Sequence, residues 1–224
     1  MKKNIVFDYD GTLHETIRIY APAFRMNYRI LVEQGLAAPR EFTDDEIGRW
    51  LGYTAADMWN AFAPQLSAEE KAACSTRIQN EMQRLTLNGT AQLYPGIPDI
   101  MDRLKARGYG IWFLSNCKNG YLEAHRKRFG LDRWFDGYYW AEAENWAPKT
   151  VILKKILHEH PGDAVMVGDR FIDIDAGNAC GIPTIATAYG YGAPGEYKSA
   201  SAIAETPSEL FSCITRIAGP AVRP

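Results

Sequence analysis

A short β-branched and aromatic run, Ile5-Val-Phe7, ends abruptly in two aspartates two residues apart, Asp8 and Asp10, and then in Gly11-Thr12. Unpaired buried charge is very costly, so a strand that meets these carboxylates must either pair them or stop. Side chains two apart on an extended chain point to the same side, which lets Asp8 and Asp10 converge on one ligand. Gly11 then permits a sharp turn. Two carboxylates held this close repel unless a proton or a metal lies between them, and either arrangement is chemistry. An Asp-Gly surface turn between strands is the ordinary structural alternative.

Three further segments carry suitable groups. Ile111-Trp-Phe-Leu114 leads an apolar strand into Ser115-Asn116, offering a hydroxyl and backbone amides to a phosphate oxygen. Lys149 stands just before a helical pattern, where an ammonium can neutralise a phosphate. Val165-Met-Val167 runs into Gly168-Asp169, and Asp173 follows. Hard oxygen donors without histidine point to Mg²⁺ rather than zinc. Taken singly, Ser115 reads equally as a turn residue, Lys149 as a solvated lysine and Asp169 as a helix N-cap.

The elements that must carry these residues alternate. From residue 96 onward, helical patterns over 97–107, 118–129, 150–160 and 208–217 separate apolar strands over 110–114, 135–140, 164–167 and 182–186. Such alternation predicts an α/β fold with a doubly wound parallel sheet. Ligands bind beyond the carboxyl ends of such strands, and Asp8, Ser115 and Asp169 all stand there. Between Leu13 and Tyr94 the pattern changes to amphipathic helices over 17–34, 44–51, 55–62 and 67–85. Thr43 with Glu46 and Ser67 with Glu70 have the spacing of capping boxes. An all-helical insert after the first strand is expected, with core segments 1–14 and 94–224 and a helical domain over 15–93.

Taken together, Phe7-Asp-Tyr-Asp-Gly-Thr-Leu13, Phe113-Leu-Ser-Asn116, Lys149 of Ala147-Pro-Lys149 and Gly168-Asp-Arg-Phe-Ile-Asp173 resemble the four motifs of the haloacid dehalogenase-like (HAD) superfamily of phosphohydrolases. The resemblance spans almost the whole chain. Asp175-Ala-Gly-Asn-Ala-Cys-Gly-Ile-Pro-Thr184 and Tyr189-Gly-Tyr-Gly192 are similar to the phosphoglycolate phosphatase-like branch, whose helical cap corresponds to the insert. Arg170, where Ser or Thr is frequent, and Thr150, where Pro is frequent, depart from the pattern.

The resemblance implies a Mg²⁺-dependent phosphatase acting on a small phosphorylated metabolite, phosphoglycolate or a related monoester. Asp8 would be the nucleophile and Asp10 the general acid and base. Mg²⁺ would be held by Asp8, the backbone carbonyl of Asp10, and Asp169. Ser115, Asn116 and Lys149 would bind phosphate, with Thr12 and Asp173 in support. A β-phosphoglucomutase-like phosphomutase and an inorganic pyrophosphatase keep the same motifs and remain rivals. A C–halogen dehalogenase would need neither Asp10 nor a metal. A phosphonatase would need a lysine in the insert, where Lys71 lies in a charged helical stretch. Within the insert, Trp50, Tyr53, Trp59 and Phe62 are expected chiefly as packing core. His14 and Glu15 are expected to face the site, with Arg18 either on a substrate carboxylate or on the surface.

The 224 residues suit one large domain or a domain with a sizeable insert. A formal net charge of −2 gives no footprint for nucleic acid, and Arg126, Lys127 and Arg128 are spread around a helix by its turn. No apolar stretch approaches the roughly 18–20 residues of a membrane span. The expected partner is therefore a small molecule, with no nucleic acid and no membrane, in a monomer or homodimer. The start at Met1-Lys-Lys has too short an apolar run for a signal peptide, and a cytoplasmic location is expected. Cys74, Cys117, Cys180 and Cys213 lack paired spacing and read as free thiols. Cys117, beside the site, is expected to be open to incidental oxidation.

Overall fold

The computed structural model describes residues 2–220. The expected core range runs to residue 224, so its last four residues lie outside those described. Six strands form one parallel sheet: β1 (Lys3–Phe7), β2 (Gly110–Ser115), β3 (Gly137–Trp140), β4 (Asp163–Gly168), β5 (Thr184–Thr187) and β6 (Ala202–Ala204). Their order is β3-β2-β1-β4-β5-β6. In this doubly wound order the direction of winding reverses between β1 and β4, which is where ligand crevices open.

The side-chain alternation of the central strands decides which helices cover which face. Ile5 and Phe7 of β1, Ile111 and Phe113 of β2, and Val165 and Val167 of β4 share one hydrophobic cluster. That face is covered by α5 (Ile97–Ala106), α6 (Asn119–Phe129) and α9 (Leu210–Ala218). Val6, Trp112, Leu114 and Met166 point the other way, onto α7 (Lys149–Glu159) and α8 (Phe171–Ala179). Both faces are dry, so the strands read as continuous apolar runs. Full burial of each such Ile or Phe stabilises by about 1.5–3 kcal/mol.

Between β1 and α5 the chain forms α1 (Ile17–Glu33), α2 (Asp44–Gly48), α3 (Ala55–Phe62) and α4 (Ala68–Leu87). These helices enclose a second cluster that includes Tyr20, Phe24, Leu31, Ile47, Trp59, Cys74 and Ile78. Both expected capping boxes are present, Thr43 with Glu46 and Ser67 with Glu70. Pro22 is accommodated inside α1. The two connections to the sheet lie side by side: the Glu15 amide donates to the Gln92 carbonyl at 3.0 Å, and the Tyr94 amide to that of Leu13 at 3.0 Å.

Three boundaries differ from the sequence reading. β3 starts at Gly137 rather than at residue 135, because Phe135 is spent in the core after a 3₁₀ turn at Leu131–Arg133. β5 is Thr184–Thr187, since Pro183 and the preceding turn hold 182–183 outside the strand. β6 was not anticipated; it is a three-residue edge strand with too short a pattern to register as one.

Candidate active site

Asp8 leaves the sheet immediately after β1, and its amide still donates to the Val167 carbonyl of β4 at 2.8 Å. Asp169 follows β4 at once, so the two carboxylates meet at the reversal point of the sheet. Lys149 opens α7 and Asp173 lies in the first turn of α8. All four are buried. The Lys149 Nζ donates at 2.6 Å to Asp8 Oδ1 and at 2.6 Å to Asp173 Oδ1. One oxygen from each of Asp8, Asp169 and Asp173 can be chosen so that all lie within 4.8 Å of one another.

The glycines explain how backbone comes this close. Gly11 has φ +81°, and a Cβ there would stand 2.1 Å from Asp169 Oδ2. Gly190 lies equally tight, with a Cβ position 2.4 Å from Asp169 Cβ. The close approach of these two separate loops, one after β1 and one after β5, lets the Tyr191 amide donate to Asp169 Oδ2 at 2.7 Å. Asp169 Oδ1 is buried and has no protein partner.

Three carboxylates against one ammonium leave the cluster two negative charges in excess if all ionise. Burial pushes the Asp8 carboxyl up to about 7, assisted by Asp173 and opposed by Lys149. Asp169 is raised well above the carboxylate range by burial, then by Asp8 and Asp173. Burial works against the Lys149 ammonium, yet Asp173 and Asp8 hold its pKa above the ordinary lysine value. Buried carboxylates with raised pKa values and an orphaned oxygen are what a small divalent cation relieves. The all-oxygen donor set, without sulfur or imidazole, fits Mg²⁺.

Asp10 is placed differently. Its Oδ1 accepts from Thr16 Oγ1 at 2.6 Å and from the Tyr121 hydroxyl, with His14 Nδ1 at 3.4 Å. Its side chain is outside the three-carboxylate cluster, and Asp173, expected only in support, is inside it. Ser115 and Asn116 line the same cavity as Asp8, Asp10 and Lys149. The Asn116 side chain also reaches across to donate to the Gly52 carbonyl at 3.2 Å.

Several expectations need correction. His14 does not face the cavity: it is wholly buried, stacked on Tyr9 with ring centroids 5.4 Å apart and edge-on to His125. Glu15 and Arg18 pair with each other on the outside. Thr12, expected only in support, is fully buried behind the loop, its carbonyl accepting from the Tyr189 hydroxyl at 2.8 Å, and it braces the turn. Trp50, Trp59 and Phe62 pack in the helical core as expected, and Trp50, Tyr53 and Trp59 also present a face to the cavity. All four cysteines are free. Burial pushes the Cys117 thiol up, which disfavours the thiolate that oxidation requires.

Sequence reasoning missed Tyr121, Tyr191, Lys118 and Trp146, and passed over Arg170 as a small departure. Arg170 is buried between the sheet and the helical insert. Its guanidinium donates to Glu196 at 3.0 and 3.3 Å, to the Arg49 carbonyl at 3.3 Å and to the Leu51 carbonyl. It also lies 5.0 Å from the Tyr53 ring centroid. The repeated Tyr189-Gly-Tyr-Gly192 was the available signal for Tyr191; no local signal marks the others.

A parallel doubly wound sheet with an aspartate after its first strand, a lysine at a helix start and an acidic pair after the fourth strand defines a hydrolase of one family. Residues 2–181 match the family model of haloacid dehalogenase-like hydrolases, and the chain belongs to that family. It is 25% identical over 224 residues to a phosphoglycolate phosphatase of Synechococcus elongatus, covering 95% of this chain and 97% of that one. It is 32% identical over 202 residues to a phosphoglycolate phosphatase of Mesorhizobium japonicum, covering 84% and 83%. A haloacid dehalogenase-like family hydrolase from Streptococcus pneumoniae shares the fold with a TM-score of 0.77 at 22% identity, over 96% of this chain and 98% of that one. None of the described helices is long and apolar enough to cross a membrane.

Proposed function

We propose that this HAD-family phosphatase hydrolyses a small phosphate monoester through an aspartyl-phosphate formed on Asp8, with Mg²⁺ as cofactor. The observation that carries this reading is the buried carboxylate set Asp8, Asp169 and Asp173 bridged by Lys149, with one Asp169 oxygen left unpartnered. An Asp8 oxygen attacks phosphorus and the ester oxygen leaves, protonated by Asp10. A water deprotonated by Asp10 then attacks the aspartyl-phosphate, releasing inorganic phosphate and restoring both carboxyl groups. Lys149 and the Ser115 hydroxyl, with the amides after β2, hold the phosphoryl oxygens in line. Asp8, Asp169 and the Asp10 carbonyl, with Asp173 alongside, would hold Mg²⁺, which would supply the positive charge that two approaching anions require. Unit charges about 4 Å apart repel by roughly 4 kcal/mol at an effective dielectric of 20, which sets the scale of what cation and lysine must offset.

The helices over 15–93 serve as a cap above this site, and phosphoglycolate is the first substrate the relatives suggest. Its carboxylate would fall to Lys118, which with Lys149 supplies the lysine side chains among the cavity-lining residues. The test is phosphate release with Mg²⁺ by the wild-type enzyme and by Asp8→Asn. Turnover should vanish in the variant and in excess EDTA, and label from a phosphorylated substrate should stay with acid-quenched wild-type protein alone. Full activity of Asp8→Asn would remove the proposal.

A further inference from the structure

The cavity that begins at Asp8 and Lys149 continues into the helical insert, with a volume of about 170 Å³. An apolar cavity of about 150 Å³ admits a benzene-sized guest, so a volume of this order, open at its mouth, is on the scale of a ring. Its walls away from the carboxylates include aromatic and thioether side chains, Trp50, Tyr53, Met58, Trp59, Met82 and Trp146, with Ser75 and Gln79 as polar breaks between them. Lys118 is the cation left there for a second anionic group, because Lys149 is tied to Asp8 and Asp173.

Two of these residues are out of place by the rules of packing. Tyr53 is 36% exposed and Trp146 is 45% exposed, and the other exposed large apolar residues among those described are aliphatic. Tyr53 is positioned by Trp50 and Phe171, with ring centroids 6.3 and 6.2 Å away, but burial does not account for the Trp146 ring. Trp146 also has φ +59°, directly after Asn145 at φ +52°, and these are the non-glycine residues with positive φ among those described. A bulky residue in that region is strained, and such strain gathers where a side chain is aimed for function. Trp146 sits on the core loop three residues before Lys149, and Tyr53 follows the insert loop that Arg170 and Asn116 hold. One ring comes from each side of the cavity.

We propose that Trp146 and Tyr53 are specificity-determining residues that clasp a flat aromatic ring carried by the alcohol side of the substrate; this rests on the phosphatase reading above. Trp and Tyr bind such rings by offset or edge-to-face contact with little loss of side-chain freedom. A cationic head group, the other guest of an aromatic box, is disfavoured here. The Arg170 guanidinium already lies over the Tyr53 ring, and Lys118 lines the same wall.

The experiment measures kcat/KM of the full-length enzyme with Mg²⁺ on matched pairs. These are adenosine 5′-phosphate against ribose 5-phosphate and pyridoxal 5′-phosphate against glycerol 3-phosphate, with phosphoglycolate and phosphocholine alongside. At least one ring-bearing ester should exceed its ringless partner about 10-fold or more, and the pair that responds tells a nucleobase from a ring close to the phosphate. Trp146→Ala should cut that ratio about 5- to 100-fold, the range of ring stacking on an aromatic side chain, and Trp146→Phe should recover most of it. In the unmodified enzyme, the dephosphorylated ring-bearing product should inhibit more strongly than ribose or glycerol, which tests the clasp without any substitution. Ring-bearing esters no better than their partners, first place for phosphoglycolate or phosphocholine, or an unchanged ratio in Trp146→Ala would overturn the inference and leave the phosphatase intact. No phosphate release from any ester would overturn the phosphatase reading, and the clasp with it.

Discussion

Lys149→Met tests the electrostatics of the site without any turnover. In the metal-free wild type, the Lys149 ammonium bridges Asp8 and Asp173 at 2.6 Å each, with Asp169 in the same cluster. Methionine keeps the length of the side chain and removes the cation that, among the described residues, pairs with Asp8. Breaking a buried ion pair from one side costs about 3–5 kcal/mol. For a chain of 150–250 residues each kcal/mol moves Tm by about 2–4 °C, so a fall of about 6–20 °C is expected in EDTA at pH 8. Protonation limits that cost. Asp8 is raised in the folded state from 3.8 to about 7, so its contribution is complete below the unfolded value and is lost as pH rises through about 7. The variant should therefore lie nearer the wild type at pH 5 than at pH 8. Saturating Mg²⁺ should restore part of the loss, about 2.7 kcal/mol at 100 times its Kd. Calorimetry at pH 5 and pH 8, in EDTA and in Mg²⁺, gives the four curves. A Tm within 2 °C of wild type at pH 8 in EDTA, or no response to Mg²⁺, would refute the charge argument.

Gly11→Ala should unsettle the loop by about 1–2 kcal/mol through its left-handed backbone and displace Asp169, whose Oδ2 lies 2.1 Å from the new Cβ position. Thermal melts should show that the Mg²⁺-dependent gain is smaller than in wild type, and an undiminished gain would contradict the placement of Asp169 at the metal. Asp10→Asn should slow phosphorylation of Asp8 far more for alkyl than for aryl phosphates, because aryl oxides leave without a proton; equal losses by rapid quench would argue against Asp10 as the acid. Arg170→Met should free the backbone around Leu51 and Gly52, which it holds through carbonyl contacts. Hydrogen exchange at 49–53 should then quicken while β1 and β4 stay protected, and unchanged exchange would mean that the arginine pairs only with Glu196.

The residues legible in the sequence were those whose position follows from topology. Asp8, Ser115 and Asp169 stand at strand ends, and parallel strands deliver their ends to one edge. Lys149 and Asp173 were readable because each starts a helix facing that edge. His14 was misplaced because its burial depends on a distant chain crossing: it bridges to Leu93, at the far end of the insert. Trp50 and Trp59 illustrate a different limit. Helical spacing marks a face as inward, yet a core and a cavity present the same pattern, and only the packing of four helices tells them apart. Trp146 was illegible because a left-handed backbone at a tryptophan has no sequence signature. Arg170 was visible as a departure, but its partners at 49, 51 and 196 come together only in three dimensions.

The central position of β1 has a consequence for how the chain assembles. Its neighbours are β2, which begins at Gly110, and β4, which begins at Asp163. As the polypeptide emerges from the ribosome, Lys3–Phe7, wholly apolar in its last three positions, therefore waits for β2 to be made before it can pair on one edge, and for β4 before it can pair on the other. The helices α1–α4 find many of their contacts locally and have no such delay. Asp8 thus precedes Lys149 and Asp169 in synthesis and reaches its final place only when β4 docks and brings Asp169 beside it. Slow, long-range parallel pairing of this kind leaves an apolar strand open to wrong partners. Destabilising changes in the amino-terminal half of β4 or the last turn of α8, at the ends away from the carboxylates, are then expected to lower the yield of folded enzyme before they alter its chemistry.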